Sequence, residues 1–289
     1  MKLLYFTDTH FRLLKPINRV DNFVKTQLKK LAEVLEIAHQ ESVDIIVHGG
    51  DLFDRPKPDY KLFNRVLRLL KRSKIPIYAI PGNHDIVGHK MHTLQGTAFW
   101  GLVEAHVIYI LNDLLKVNGV TLRGIPYGSP LPQNSDVDIL IVHSMIVPKQ
   151  VKFEHTLASN INYRTSLVLA GHYHIPFTYK SKHTTIINPG SLLRLTVAKE
   201  DMERIPSVVI VDNLHPRIVP LRKTALPFDK VFSLKEKVDE RVCFDNFFLS
   251  LDNLTTTEFN LIEILKKYKN KIKPEVLKEA IDRVSRANG

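Results

Sequence analysis

A single cysteine in 289 residues, Cys243, rules out an internal disulfide and suits a reducing compartment. It reads as a small apolar strand residue rather than a catalytic thiol. No uninterrupted apolar stretch approaches the roughly 20 residues that a bilayer span requires, so no membrane-crossing helix is expected. The opening residues Met1 to Asp8 reach a charge too early for a signal peptide. The expectation is a soluble, cytoplasmic protein with no membrane partner. Acidic residues are in the minority, 30 against 41 Lys and Arg, giving a formal net charge of +11. The excess is uneven: the first 228 residues hold 29 Lys and Arg against 19 Asp and Glu, the remainder 12 against 11. A basic catalytic portion favours an anionic substrate, and a nucleic-acid backbone is the commonest large one.

The first third alternates strand and helix. Leu3 to Thr7, Val43 to His48 and Ile75 to Ile80 are β-rich apolar runs. Between them, Val20 to Gln40 and Asp59 to Arg72 carry apolar residues at helical spacing. Such alternation predicts a parallel sheet covered by helices, hence an α/β fold. From Val107 onward the strands are short and the helices few: Val107–Ile110, Leu115–Val117, Val120–Ile125, Ile139–His143, Leu167–Ala170, Thr184–Ile187, Val208–Val211 and Arg217–Leu221. They predict a second sheet stacked on the first, with loops from both meeting at one edge. Pro126 to Ser135 reads as a loop. After Pro227 the pattern changes again, to a strand over Val242–Leu249, a helix from about Thr257 to Tyr268 and a last helix to about Arg286. Two domains are expected, residues 1–225 and a small α(+β) appendage over 226–289.

Five short blocks carry the chemistry: Asp8-Thr9-His10, Gly50-Asp51-Leu52-Phe53-Asp54, Gly82-Asn83-His84-Asp85, Val142-His143-Ser144 and Gly171-His172-Tyr173-His174. Nearly all follow an apolar run and so sit where strands end, which is where parallel α/β folds build active sites. Asp8 and His10 are two apart, so a continuing strand points both to one side. Asp51 follows two glycines that let its backbone turn close to a metal. Asn83 supplies a neutral oxygen, and His143, His172 and His174 supply imidazoles. A mixed oxygen and imidazole set suits Mn²⁺, Fe²⁺ or Zn²⁺ better than an all-oxygen Ca²⁺ or Mg²⁺ cage. Two such ions about 3.5–4 Å apart clamp a phosphoryl group, so the pattern points to phosphoester hydrolysis. His84, adjacent to a ligand, should project toward substrate, where an imidazolium could stabilise the charged phosphorane or protonate the leaving alkoxide. Asp54 either orients that histidine or forms a salt bridge to Arg55 or a turn cap. His48, just before Gly49-Gly50-Asp51, supports the site from behind or packs in the core. A basic rim of Arg55, Lys57, Lys149, Lys152, Arg164 and Arg194 is expected to meet a nucleic-acid backbone, with Arg55, Lys57 and Arg194 as its main contacts.

The blocks resemble the calcineurin-like metallophosphoesterases, whose pattern is D-x-H, G-D-x-x-D, G-N-H-[DE], a lone H and G-H-x-H, over about residues 1–225. That resemblance implies a four-layered α/β/β/α sandwich. It also implies one metal held by Asp8, His10, Asp51 and His174, and another by Asp51, Asn83, His143 and His172, with His84 as the catalytic histidine. Within the superfamily the chain is similar to SbcD-type nuclease subunits of DNA double-strand-break repair complexes. The shared phrases are Gly50-Asp51-Leu52-Phe53-Asp54-Arg55-Pro56-Lys57-Pro58 and Asn188-Pro189-Gly190-Ser191-Leu192-Leu193-Arg194. This likeness implies a DNA nuclease, exonuclease and/or endonuclease, using Mn²⁺, with Mg²⁺, Fe²⁺ or Zn²⁺ as alternatives. It further implies a homodimer through Asp59–Arg72 and Leu94–Ala105, and an ABC-type coiled-coil ATPase partner (SbcC-like). The block at Asp8 departs from the subfamily, continuing Phe11-Arg12 where Leu-Gly is usual. Two other readings stand beside the nuclease: a stand-alone phosphodiesterase of small or cyclic nucleotides, and an inactive DNA-binding subunit.

Overall fold

A computed structural model of the chain describes residues 1–222, apart from 17–18, 112, 133–134 and 162. The first half contains β1 (Lys2–Phe6), α1 (Phe23–Gln40), β2 (Ile45–His48), α2 (Tyr60–Leu70), β3 (Ile77–Ala79), α3 (Ala98–Glu104), β4 (Tyr109–Ile110), β5 (Leu115–Val117), β6 (Val120–Ile125) and β7 (Ile139–His143). The remainder comprises β8 (Ile146–Val147), β9 (Thr156–Leu157), β10 (Leu167–Gly171), β11 (Phe177–Lys180), β12 (Thr185–Asn188), α4 (Lys199–Glu203), β13 (Ser207–Asp212) and β14 (His215–Pro220). The expected strand over Val242–Leu249, with Cys243, and the two helices after it lie outside the described residues. No described helix is long and apolar enough to cross a membrane.

Two six-stranded sheets form the body, in the orders β14-β13-β1-β2-β3-β4 and β11-β12-β10-β7-β6-β5. In the first, β1 to β4 run parallel and β13 joins β1 antiparallel. In the second, β6, β7, β10 and β12 run parallel, flanked by antiparallel β5 and β11. Side chains alternate across each strand. Leu3 and Tyr5 face inward with Ile45, Val47, Ile139, Ile141, Leu167 and Leu169, making the layer between the sheets. Leu4 and Phe6 face the other way, under Leu31 and Val34 of α1 and Leu62 and Val66 of α2. Burial on both faces explains why these strands read as unbroken apolar runs. Each such side chain contributes about 1.5–3 kcal/mol of transfer free energy.

The α/β sandwich is therefore present, with an uneven outer cover. Over the first sheet lie α1, α2 and α3. Over the far face of the second, Leu140, Val142, Val168 and Ala170 meet Ile146, Ala158 and Ile161, from the short β8–β9 pair and the turn after it. The later strands do not all enter the second sheet, as expected from their order. Tyr109–Ile110 extends the first sheet beside β3, and β13 and β14 close its other side. Helix starts are set by caps. The helix expected from Val20 begins at Phe23 because the Asn22 side chain accepts from Lys25 N at 3.1 Å. Similarly, Asp59 accepts from Lys61 N at 2.8 Å and starts α2 at Tyr60.

Candidate functional site

The segments following β1, β2 and β3 and those ending β7 and β10 meet at one edge of the sandwich. The strand geometry expected through Asp8 and His10 does not continue. Strand β1 stops at Phe6, and φ is 52° at Asp8 and 43° at His10, with 56° at Asp51 and 80° at His172. Left-handed backbone at such residues costs of order 1–3 kcal/mol each and persists where the surroundings enforce it. Here the enforcement is a rung of main-chain hydrogen bonds, Asp8 N to Gly50 O, His10 N to Asp51 O and Phe11 N to Leu52 O, each 3.0 Å. His48 ties the same two loops from below. Its Nδ1 accepts from Gly50 N at 3.3 Å, leaving Nε2–H to face Thr9 Oγ1 at 3.3 Å. Gly50, at φ 105°, leaves no room for a side chain, since a Cβ there would run into the His143 ring.

Seven donor side chains converge above these loops. His10 Nε2 lies 3.0 Å from His174 Nε2, 3.5 Å from Asp51 Oδ2 and 3.8 Å from Asp8 Oδ1. His143 Nε2 lies 3.4 Å from Asp51 Oδ2 and 3.3 Å from Asn83 Oδ1. Two sets thus form, Asp8 with His10 and His174, and Asp51 with His143 and His172, each with donor atoms within 4.8 Å of one another. Asp51 also reaches His10 and His84, so it lies between the two sets. Supporting hydrogen bonds aim the donors. His143 Nδ1 donates to Gly49 O at 2.7 Å, which leaves Nε2 facing the carboxylates. Asp8 accepts from Thr7 Oγ1 at 2.8 Å and from His172 N at 3.1 Å. The donor set, imidazoles with carboxylates and one amide oxygen and no thiolate, fits a pair of divalent transition ions.

His84 stands beside this cluster, its ring 4.7 Å from that of His10. Its main-chain N donates to Asp51 Oδ1 at 2.8 Å, and its Nδ1 donates to the Asp54 carbonyl at 2.9 Å. Asp54 therefore orients His84 through its backbone. Its carboxylate is taken by Arg12 Nη1 at 3.1 Å, not by Arg55, and lies 3.9 Å from His10 Nδ1. Burial opposes charge on His84, yet Asp51, the Asp54 carbonyl and carboxylate, and Asp85 outweigh it and raise its pKa. At His143 burial is likewise overcome, chiefly by Asp51, and the pKa is pushed up to about 9. His172 goes the other way, to about 3, through burial and the neighbouring His143.

The expected rim divides. Arg55 and Lys57 are exposed just after Asp54, and Lys149, Lys152 and Arg164 are exposed as well. Arg194 is not a surface cation: it is 5% exposed, and its Nη1 donates to Met202 O at 3.3 Å. Burial and the nearby Arg19 and Arg204 lower its pKa. Its place is inside the loop that backs the site. Two contributors had no assigned role in the sequence. Asp85 closes the Gly82-Asn83-His84-Asp85 block and accepts from the amides of Asp51, Leu52 and Gly82 at 2.8, 3.1 and 2.9 Å, so its presence in that block was the available signal. Tyr127, 5.6 Å from His172 ring to ring, lies in a proline-glycine loop with no sequence signal at all.

Over part of its length the chain is similar to known proteins. The profile of the family described as Calcineurin-like phosphoesterase matches residues 1–176. A DNA double-strand break repair protein Mre11 of Saccharolobus solfataricus is 30% identical over 156 residues, 52% of this chain and 38% of its own length. The double-strand break repair protein MRE11 of Encephalitozoon cuniculi is 23% identical over 306 residues, 84% of this chain and 52% of its own. A solved structure described as a novel archaeal phosphodiesterase aligns with TM-score 0.42 and 16% identity, covering 76% of this chain and all of that one. The chain thus spans about half or less of the length of these two repair proteins. With the family profile running through β1 to β10 and all five blocks complete within it, the chain belongs to the calcineurin-like phosphoesterases.

Proposed function

We propose that this chain is a metal-dependent DNA nuclease that hydrolyses phosphodiester bonds with two divalent ions, Mn²⁺ foremost. The observation that carries this reading is the convergence of seven donors from two sheets around Asp51, with His84 beside them. Asp8, His10, Asp51 and His174 would hold one ion, and Asp51, Asn83, His143 and His172 the other. When bound, such ions activate water and neutralise charge on the phosphoryl group. The remaining work falls to the protein. Held at Nδ1 by Asp54, His84 has Nε2 free to donate a proton to the leaving alkoxide or a hydrogen bond to its developing charge. Exposed Arg55 and Lys57 offer the backbone its first cations.

The likeness to the repair proteins supports DNA as substrate, a homodimer, and an ABC-type coiled-coil ATPase (SbcC-like) as partner. A stand-alone phosphodiesterase of small or cyclic nucleotides would use the same donors, and the substrate decides between the two. Purified protein incubated with labelled single-stranded and duplex DNA, and with bis-p-nitrophenyl phosphate, across Mn²⁺, Mg²⁺ and Zn²⁺ makes the test. Cut DNA in Mn²⁺ is expected, whereas turnover of the small ester alone would replace the nuclease reading. His84→Ala should keep its metals and lose about 10²–10⁴-fold in rate. Asp51→Asn should lose metal, and calorimetry finding both sites intact in it would remove Asp51 from the bridging position.

A further inference from the structure

Arg12 holds a guanidinium that the fold has fixed in place through one ion pair, to Asp54, while leaving its other N–H groups without a protein acceptor among the described residues. Its main chain is clamped by the fully buried Gln27, whose Oε1 accepts Arg12 N–H at 2.9 Å and whose Nε2 donates to Arg12 O at 2.8 Å. Its Nη1 donates to Asp54 Oδ1 at 3.1 Å, and its guanidinium carbon lies 5.8 Å from the centre of the Phe23 ring. The other N–H groups find no acceptor among the described residues, and Nε is buried without one. Arg204 makes the contrast: each of its three nitrogens donates, in four hydrogen bonds to Asp201, Ser191 and Leu193. The buried Nε is a donor that no described group satisfies, and the solvent-facing part of the guanidinium fork matches a phosphate. The placement says which phosphate. His10 turns Nε2 to the donor cluster and Nδ1 to the Asp54 carboxylate that Arg12 holds. Arg12 therefore stands on the outer side of the His10 ring, across that ring from the seven donors. Its side chain keeps 27% exposure there.

We infer that Arg12 is a specificity-determining residue that binds a phosphate flanking the one hydrolysed, so that the site favours a polynucleotide over an isolated phosphodiester. This inference rests on the nuclease reading. Fluorescence anisotropy with a labelled single-stranded oligothymidylate in EDTA, where nothing is cut, tests it directly for the unmodified protein, R12Q and R12K over a salt series. R12Q should bind more weakly, with a slope of log K against log salt shallower by ~0.7, the contribution of one phosphate on a single strand. R12K, keeping the charge, should retain the slope. With Mn²⁺, the ratio of kcat/KM for the oligonucleotide to that for bis-p-nitrophenyl phosphate should fall about ten-fold in R12Q. An unchanged slope in R12Q overturns the inference. So does an equal loss on both substrates with a lowered melting temperature, which would make Arg12 only a brace for Asp54. Failure of the nuclease reading looks different, because the unmodified protein would then turn over the small ester while neither binding nor cutting the oligonucleotide.

Discussion

At the last position of β7, His143 gathers the physical constraints of the site into one ring. Nδ1–H is committed to the Gly49 carbonyl, and Nε2 sits 3.4 Å from Asp51 Oδ2. Burial works against the imidazolium, but Asp51 and then Asp8 overcome it and push the pKa up to about 9. Without a cation this ring is therefore protonated at neutral pH, and its stabilising pair with Asp51 is fully present below the unfolded value of ~6.5 and lost as pH rises through about 9. A metal ion at Nε2 must displace that proton. Loading the protein near neutral pH is expected to release about one proton per molecule, seen as a calorimetric enthalpy that varies with the ionisation enthalpy of the buffer. His143→Gln should remove most of that dependence. A buffer-independent enthalpy in the unmodified protein would show that Nε2 holds no proton for the ion to displace. The residue types needed here were legible in the sequence, because short blocks of Asp, Asn and His recur at strand ends. The route by which Asp8 and His10 reach one point was not, since it depends on left-handed backbone imposed by the neighbouring loop.

Elements add what single residues cannot, and the clearest case is the strap from Asn188 to Arg204 behind the site. Ser191 N donates to His174 O at 3.1 Å and Leu192 N to Asp8 O at 3.3 Å, so this strap grips the two outer blocks together. Arg204 holds the strap, its Nε on Asp201 Oδ1 at 2.6 Å and its two Nη groups on Ser191 and Leu193. Asp201 in turn accepts from the amides of Leu195 and Thr196 at 2.8 and 2.7 Å. Removing one member of a buried charge pair strands the other, at a cost of about 3–5 kcal/mol. Arg204→Met should therefore lower the unfolding free energy by that amount, read as a lower denaturant midpoint at unchanged m, and weaken metal binding through His174 and Asp8. Lys199→Ala, which breaks an exposed pair to Glu203, should change stability by less than about 0.5 kcal/mol. Equal midpoints for Arg204→Met and the unmodified protein would show that the network contributes nothing. The phrase Asn188 to Arg194 stood out in the sequence, but its contacts span positions far apart in the chain, so Arg194 read as a cation for DNA when it is a buried part of the strap.

For the whole described body, the decisive fact is that the donors come from two different sheets. Asp8, His10, Asp51 and Asn83 follow strands of the first, while His143, His172 and His174 end or follow strands of the second. The sequence predicted two sheets, yet not which strands join which, because β4, β13 and β14 look like the short strands of the second and pair with the first. That assignment is a matter of long-range pairing, which local periodicity does not encode. It has a consequence for stability. The sheets are otherwise joined by their shared apolar layer, and the buried carboxylates Asp8 and Asp51 lie unneutralised at its upper edge except for the nearby imidazoles. Ions bound there would fasten one sheet to the other and bind the native state alone. At a hundred-fold excess over Kd, one ion adds ~2.7 kcal/mol. In a domain of this size that raises Tm by about 5–11 °C. Scanning calorimetry with Mn²⁺ and then EDTA should show the rise and its reversal. His143→Ala removes a donor of the ion assigned to Asp51, Asn83, His143 and His172 and should lose that ion's share of the rise, while the ion assigned to Asp8, His10, Asp51 and His174 keeps its own. A rise of the same size in that variant would mean that His143 holds no ion and that its ring contributes only packing and its pair with Asp51.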